Sequence, residues 1–153
     1  MSGAIYPSLR GKSVVVTGGG SGIGAAITEG FVAQGAHVTF LDIADEDSRA
    51  LEARLSGAGQ APVYKRCNLK DVAEIKRVFG EIGDVDVLVN NAANDDRHSL
   101  EDITPDYWDD RIAVNLRHLA FCAKAVVPGM KARGAGAIVN LGSVSWHLAI
   151  PDL

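Results

Sequence analysis

Apolar residues fall along this chain in short unbroken runs that alternate with helical stripes. Lys12-Ser-Val-Val-Val-Thr17 stops at a glycine-rich turn, Gly18-Gly-Gly-Ser-Gly-Ile-Gly24, and a bounded apolar run of this kind reads as a strand buried on both faces. Ile27, Phe31 and Val32 then recur at helical spacing towards Gly35. His37-Val-Thr-Phe-Leu41 predicts a second strand. Asp45, Glu46 and Asp47 place acids where a helix dipole favours them, opening a helix through Leu51 and Leu55 to Gly57. Pro62-Val-Tyr-Lys-Arg66 predicts a third, weaker strand. Asp71 and Glu74 resemble a capping box for a helix with Val72, Ile75, Val78, Phe79 and Ile82 on one face. Val85-Asp-Val-Leu-Val89 is the fourth strand.

Thr104-Pro105 pairs an N-cap residue with proline at the first helical position. The long helix that follows runs through Trp108, Ile112, Leu116, Leu119, Phe121 and Val126 to Met130, with a kink expected at Pro128. Its Leu116, Leu119, Phe121 and Val126 stripe is expected to be core. Gly134 and Gly136 close it, and Ala137-Ile-Val-Asn-Leu141 is the fifth strand. This alternation predicts an α/β fold, a doubly wound parallel sheet of about five strands with helices on both faces. Ligands are then expected at the carboxyl ends of the strands.

Composition narrows the function classes. Hydrophobic residues make up 47% of the 153 positions, enough for a core, and 15 Lys+Arg against 19 Asp+Glu leave a net charge of −4. The basic residues are scattered, so no nucleic-acid or anionic-membrane partner is expected. Cys67 and Cys122 form no disulfide framework, and no Cys/His cluster has ligand spacing, so a reduced cytoplasmic setting and no metal site are expected. The N-terminus has no apolar signal core, and no apolar run approaches the length of a membrane span.

The glycine turn carries the first chemistry. Backbone N–H groups approach a pyrophosphate only where no Cβ intervenes, and the helix N-terminus adds partial positive charge. The segment parses as Gly18-x-x-x-Gly22-x-Gly24 or as Gly20-x-Gly22-x-x-Ala25, and the pattern does not choose between them. Asp42 ends the second strand, where a carboxylate accepts from a ribose 2′-hydroxyl and repels a 2′-phosphate; this favours NAD over NADP.

Five ordered segments resemble the short-chain dehydrogenase/reductase family: Thr17-Gly18-x-x-x-Gly22-Ile23-Gly24 with Asp42, Asn68-Leu69, Asn90-Asn91-Ala92-Ala93, Val114-Asn115-Leu116 and Leu141-Gly142-Ser143. The resemblance implies one NAD-binding domain of Rossmann type over residues 1–153. Gly18, Ser21, Gly22, Ile23, Gly24, Asp42, Asn68, Leu69, Asn91 and Ala92 would hold the cofactor. Ser143 would orient the substrate oxygen, and Asn115 would support the proton relay. Asn68 stands where an Asp is usual, and an amide still contacts adenine as donor and acceptor. Ala93 replaces a Gly.

The runs Asn94-Asp-Asp-Arg-His98, Asn115-Leu-Arg-His118 and Ser143-Val-Ser-Trp-His147 resemble a branch of the family that oxidises D-xylose at C1 to a lactone with NAD. That places Ser145, Trp146 and His147 as candidate sugar contacts. Residues 95–98 read rather as a solvated loop, and His37 and His118 as structural. The resemblance implies that the base is a Tyr in Tyr-x-x-x-Lys, its pKa lowered by the Lys and the cofactor's positive charge, because an unperturbed tyrosine near pKa 10 is a poor base at pH 7. Here Tyr6, Tyr64 and Tyr107 are followed four residues on by Arg10, Asn68 and Arg111. The chain is therefore expected to be a C-terminally truncated form, inactive alone, that self-associates when complete. The competing reading is a non-catalytic dinucleotide-binding or interaction protein.

Overall fold

The run of valines that opens the hydrophobic pattern becomes the centre of the sheet. In the computed structural model, which describes residues 3–57, 60–144 and 147–148, the chain alternates β1 (Ser13–Thr17), α1 (Gly22–Ala33), β2 (His37–Asp42), α2 (Asp45–Leu55), β3 (Val63–Arg66), α3 (Val72–Ile82) and β4 (Val87–Asn90). Then come α4 (Pro105–Ile112), a π-helical turn (Ala113–Arg117), α5 (His118–Arg133) and β5 (Ala137–Asn140). All strand pairs are parallel, in the order β3-β2-β1-β4-β5. β1 sits in the middle, and the chain winds away from it in both directions. This is the doubly wound, Rossmann-type architecture that the alternation predicts.

Burial on both faces explains why β1 is apolar without alternation. Val14 and Val16 pack with Val32, Ala36, Phe40 and Leu51 beneath α1 and α2. Val15 points the other way, into a cluster with Leu41, Ile75, Leu88, Cys122 and Val126 beneath α3 and α5. Each of the three valines is fully buried, and each contributes about 1.5–3 kcal/mol by leaving water. Both cysteines lie in the second cluster as free thiols, and burial pushes each up to about 12, which leaves them unreactive.

Helix ends follow the expected chemistry with two corrections. Asp71 caps α3 by accepting from Ala73 N at 2.8 Å and Glu74 N at 3.2 Å. The Glu74 carboxylate turns to Arg77 instead of closing the box. Thr104 caps α4 through Tyr107 N at 3.1 Å. The long helix is interrupted at Ala113–Arg117, whereas Pro128 lies inside α5. Pro128 is exposed, on the solvent side of the helix, where the loss of one backbone bond costs least. The π turn also sets the phase of the stripe: Val126 is buried, but Leu116 is 59% exposed and is not core.

Candidate functional site

β1 and β4 are neighbours whose following helices lie on opposite faces of the sheet, and the crevice at their carboxyl ends is where such folds bind ligands. Two glycines make the geometry possible. Gly18 has φ +62°, and a Cβ there would lie 2.7 Å from the Ala92 Cα. A Cβ on Gly24, in the first turn of α1, would lie 1.8 Å from the Gly18 carbonyl oxygen and 2.6 Å from Asn91 Nδ2. The first turn of α1 therefore packs directly onto the end of β1. A Cβ at Gly20, named by the other parsing, would likewise lie 2.2 Å from Ser48 Oγ, so the packing accounts for glycines in both parsings. Gly22 faces open space with φ +52°.

The opposite wall is tied to the turn by hydrogen bonds. The buried Thr17 hydroxyl accepts from Asn91 N at 3.0 Å and Ala92 N at 3.1 Å. Asn91 Nδ2 donates to the carbonyls of Thr17 and Gly18, both at 3.0 Å. Thr17→Val keeps the shape and leaves two backbone N–H groups without an acceptor. It is expected to cost about 2–4 kcal/mol in denaturant unfolding, with Thr17→Ser close to the parent.

Asp42 lies at the rim. Its Oδ2 accepts from Gly20 N at 2.9 Å, and its Oδ1 accepts from Ile43 N at 2.7 Å and Ala44 N at 3.0 Å. The carboxylate is thus fixed beside the glycine turn. Asn68 Oδ1 accepts from Lys70 N at 3.2 Å, and Leu69 belongs to the core cluster under α3 and α5. All ten residues picked out for the cofactor line a single groove of about 540 Å³.

Sequence reasoning missed other parts of this groove. Ile43, Lys70, Asn94, Asp95, Arg111 and Val114 also line it. Arg111 ion-pairs with Asp110, lies 3.8 Å from the Asp96 carboxylate and places its guanidinium 5.3 Å from the Tyr107 ring centre. Tyr107 in turn bonds the Asp96 carbonyl at 3.3 Å and His98 Nδ1 at 2.9 Å. Residues 95–97 are exposed and form no helix or strand, as the solvated-loop reading expects, while Asp96 and His98 tether this loop to α4. One signal was available: Arg111 stands one helical turn before Asn115 and shares its face.

Asn115 sits in the π turn. Its Oδ1 accepts from Asn94 N at 2.8 Å, and its Nδ2 donates to Asn94 O at 3.1 Å. One side chain so binds both backbone groups of a residue on the groove wall, and π turns often mark such functional positions. Ser143 is exposed just past β5. His147 is exposed, with its backbone N–H on Val144 O at 2.9 Å. Ser143, Asn115 and His147 are not part of the groove lining. Ser145 and Trp146 lie outside the described residues. Among the described residues no cluster of His, Cys, Asp and Glu could hold a metal ion, and no helix is long and apolar enough to cross a membrane.

The cradle suits a dinucleotide. Glycine at 18 and 24 lets the turn and the start of α1 pack tightly on Ala92 and the end of β1, Gly22 opens outwards, and the N-terminus of α1 has no side-chain cap. Comparison with known proteins agrees. The family model described as short chain dehydrogenase matches residues 12–152. The D-xylose 1-dehydrogenase of Caulobacter vibrioides is 69% identical over 153 residues, covering 100% of this chain and 62% of that protein. The "probable galactose dehydrogenase" of Rhizobium meliloti is 47% identical, covering 97% of this chain and 60% of that protein. A solved metagenomic short-chain oxidoreductase in complex with NADP superposes with TM-score 0.87 at 35% identity, covering 95% of this chain and 68% of its own.

Proposed function

Because the chain belongs to the short-chain dehydrogenase family, we propose that it forms the cofactor-binding part of an NAD-dependent dehydrogenase that oxidises an aldose such as D-xylose at C1 to the lactone. The observation that carries this is the groove at the end of β1, where the glycine cradle and the Asp42 carboxylate lie side by side. The similarity to dehydrogenases named for D-xylose and galactose supports the sugar class.

In this reading the N–H groups at the start of α1 bind the pyrophosphate. Asp42 accepts from the adenosine ribose hydroxyls and repels a 2′-phosphate. Asn68 and Leu69 flank the adenine, and Asn91 keeps the turn in shape. The chemistry supplied by the bound dinucleotide is acceptance of a hydride from the sugar carbon. Ser143 hydrogen-bonds the reacting hydroxyl, while Asn115 fixes the Asn94 backbone at the groove wall. Self-association belongs to the same proposal: Trp108 and Leu116 are large exposed apolar side chains suited to a second copy.

Within these 153 residues no tyrosine is followed by lysine four positions on. The isolated 153-residue polypeptide is therefore proposed to bind NAD without reducing it. Calorimetry is expected to give an NAD dissociation constant within about 1 µM–1 mM, the usual working span of such sites. NADP should bind at least about tenfold more weakly, since like charges oppose one another at the rim. Equal binding of both would remove the role given to Asp42, and NADH formed from D-xylose by the isolated polypeptide would remove the claim of inactivity.

A further inference from the structure

A second polar group lies buried under the strand ends. His118, in the first turn of α5, is fully buried, and Asn90, the last residue of β4, is 1% exposed. Their placement follows from register. Leu88 and Cys122 belong to one core cluster between β4 and α5. Two residues on from Leu88, on the same strand face, is Asn90; one helical turn back from Cys122 is His118. The Leu119 carbonyl, 3.5 Å from Asn90 Nδ2, anchors this layer.

Both side chains carry hydrogen-bonding atoms that the fold leaves unpaired. Asn90 Nδ2 donates to Asn140 Oδ1 at 2.8 Å, but Asn90 Oδ1 has no partner. Burial holds the His118 imidazole below the usual histidine value, which leaves it neutral at neutral pH with one N–H donor and one acceptor nitrogen. The Val114 carbonyl one turn back is near enough to oppose that shift, yet neither ring nitrogen completes a well-directed bond. A buried polar atom left so costs about 1–3 kcal/mol. Buried solvent is stable where two to four polar groups converge, and register puts His118 beside Leu119, whose carbonyl meets Asn90, in one buried layer.

We propose that His118 is a positioning residue that holds the Asn90 carboxamide through one bridging water molecule and thereby fixes the paired ends of β4 and β5. Those ends carry the candidate machinery. Asn91, which grips the glycine turn, follows Asn90 directly, and Leu141 N bonds the Asn90 carbonyl at 3.0 Å on the way to Ser143. A loose Asn90 would let both sides of the crevice drift.

The test uses the full polypeptide that carries these residues, with His118→Leu to remove the polar ring and His118→Gln to restore a donor and an acceptor. Amide hydrogen exchange at Leu141 and Asn91 is expected to quicken about tenfold in His118→Leu and to return towards the parent in His118→Gln. NAD affinity should fall by a similar factor and recover likewise. Unchanged exchange in His118→Leu, or His118→Gln no better than leucine, overturns the proposal and leaves His118 a packing residue. Should the leucine variant not fold, the unaltered protein decides by NMR. A His118 ring N–H with a cross-peak to a long-lived water is expected, and its absence is the overturning result. Only the affinity measurement rests on the function proposed above. A parent protein that ignores NAD sinks that function, while the exchange and water measurements still judge His118.

Discussion

Gly24→Ala is expected to abolish dinucleotide binding and to destabilise the protein by more than any other single methyl group added at the site. The new carbon would sit 1.8 Å from the Gly18 carbonyl oxygen, about half a normal contact distance. Neither partner can yield cheaply. The Gly18 carbonyl also accepts from Asn91 Nδ2, and the Gly18 N–H is held on Leu41 O at 2.7 Å. Relief requires α1 to lift from the end of β1, which strains the turn and exposes the buried Thr28, whose hydroxyl bonds Gly19 O at 3.2 Å. A loss of about 3 kcal/mol or more is expected, in the range of other overpacked or strained sites. Gly22→Ala is the control: its Cβ meets nothing within 4 Å, so its cost comes from the positive φ alone. Unfolding curves and NAD titrations of both variants check this, and equal effects in the two would show that the close approach at Gly24 is not the cause.

The second large effect is on selectivity. Asp42→Asn keeps the size of the side chain and an oxygen for the Ile43 and Ala44 N–H groups, but removes the negative charge at the rim. A 2′-phosphate is then no longer repelled, while the ribose hydroxyls lose a charged acceptor that is about twice as strong as a neutral one. The two changes act in opposite senses on the two cofactors. The ratio of NADP to NAD affinity is expected to rise about 10- to 100-fold, as for removal of a like-charge juxtaposition worth a few kcal/mol. Paired titrations with the two dinucleotides read this directly. A ratio within twofold of the parent would mean that the carboxylate serves only its own loop and Gly20.

The strands and their parallel arrangement were legible because burial on both faces removes polar residues from runs such as Val14, Val15 and Val16. The glycine turn was legible because four of its positions, 18, 19, 20 and 24, leave no room for a side chain. What stayed hidden depends on contacts between distant segments. The π turn arises where Asn115 reaches the backbone of Asn94, 21 residues earlier, and no local propensity encodes that pairing. Proline, the obvious local signal for a break, stands at 128, where the helix continues. Nothing in the sequence pairs Arg111 and Tyr107 with the 95–98 loop; the fold brings Asp96 and His98 to them. The sequence marks His118 as structural, and only the register of α5 on β4 places it in one layer with Asn90.

The bonds between Thr17 and Asn91 also bear on the order in which the molecule takes shape. They join residues 74 positions apart, so the cradle closes only after the β1–β4 pair has formed across two intervening strand-helix units. Local helices need no such closure and form on a far shorter timescale, whereas non-local pairing waits on the entropy of bringing distant chain together. A nascent chain can thus hold most of its helix content while its ligand cleft is still open at the hinge between β1 and β4. Competence to bind is in this sense a late acquisition of folding, set by topology and not by the glycines themselves.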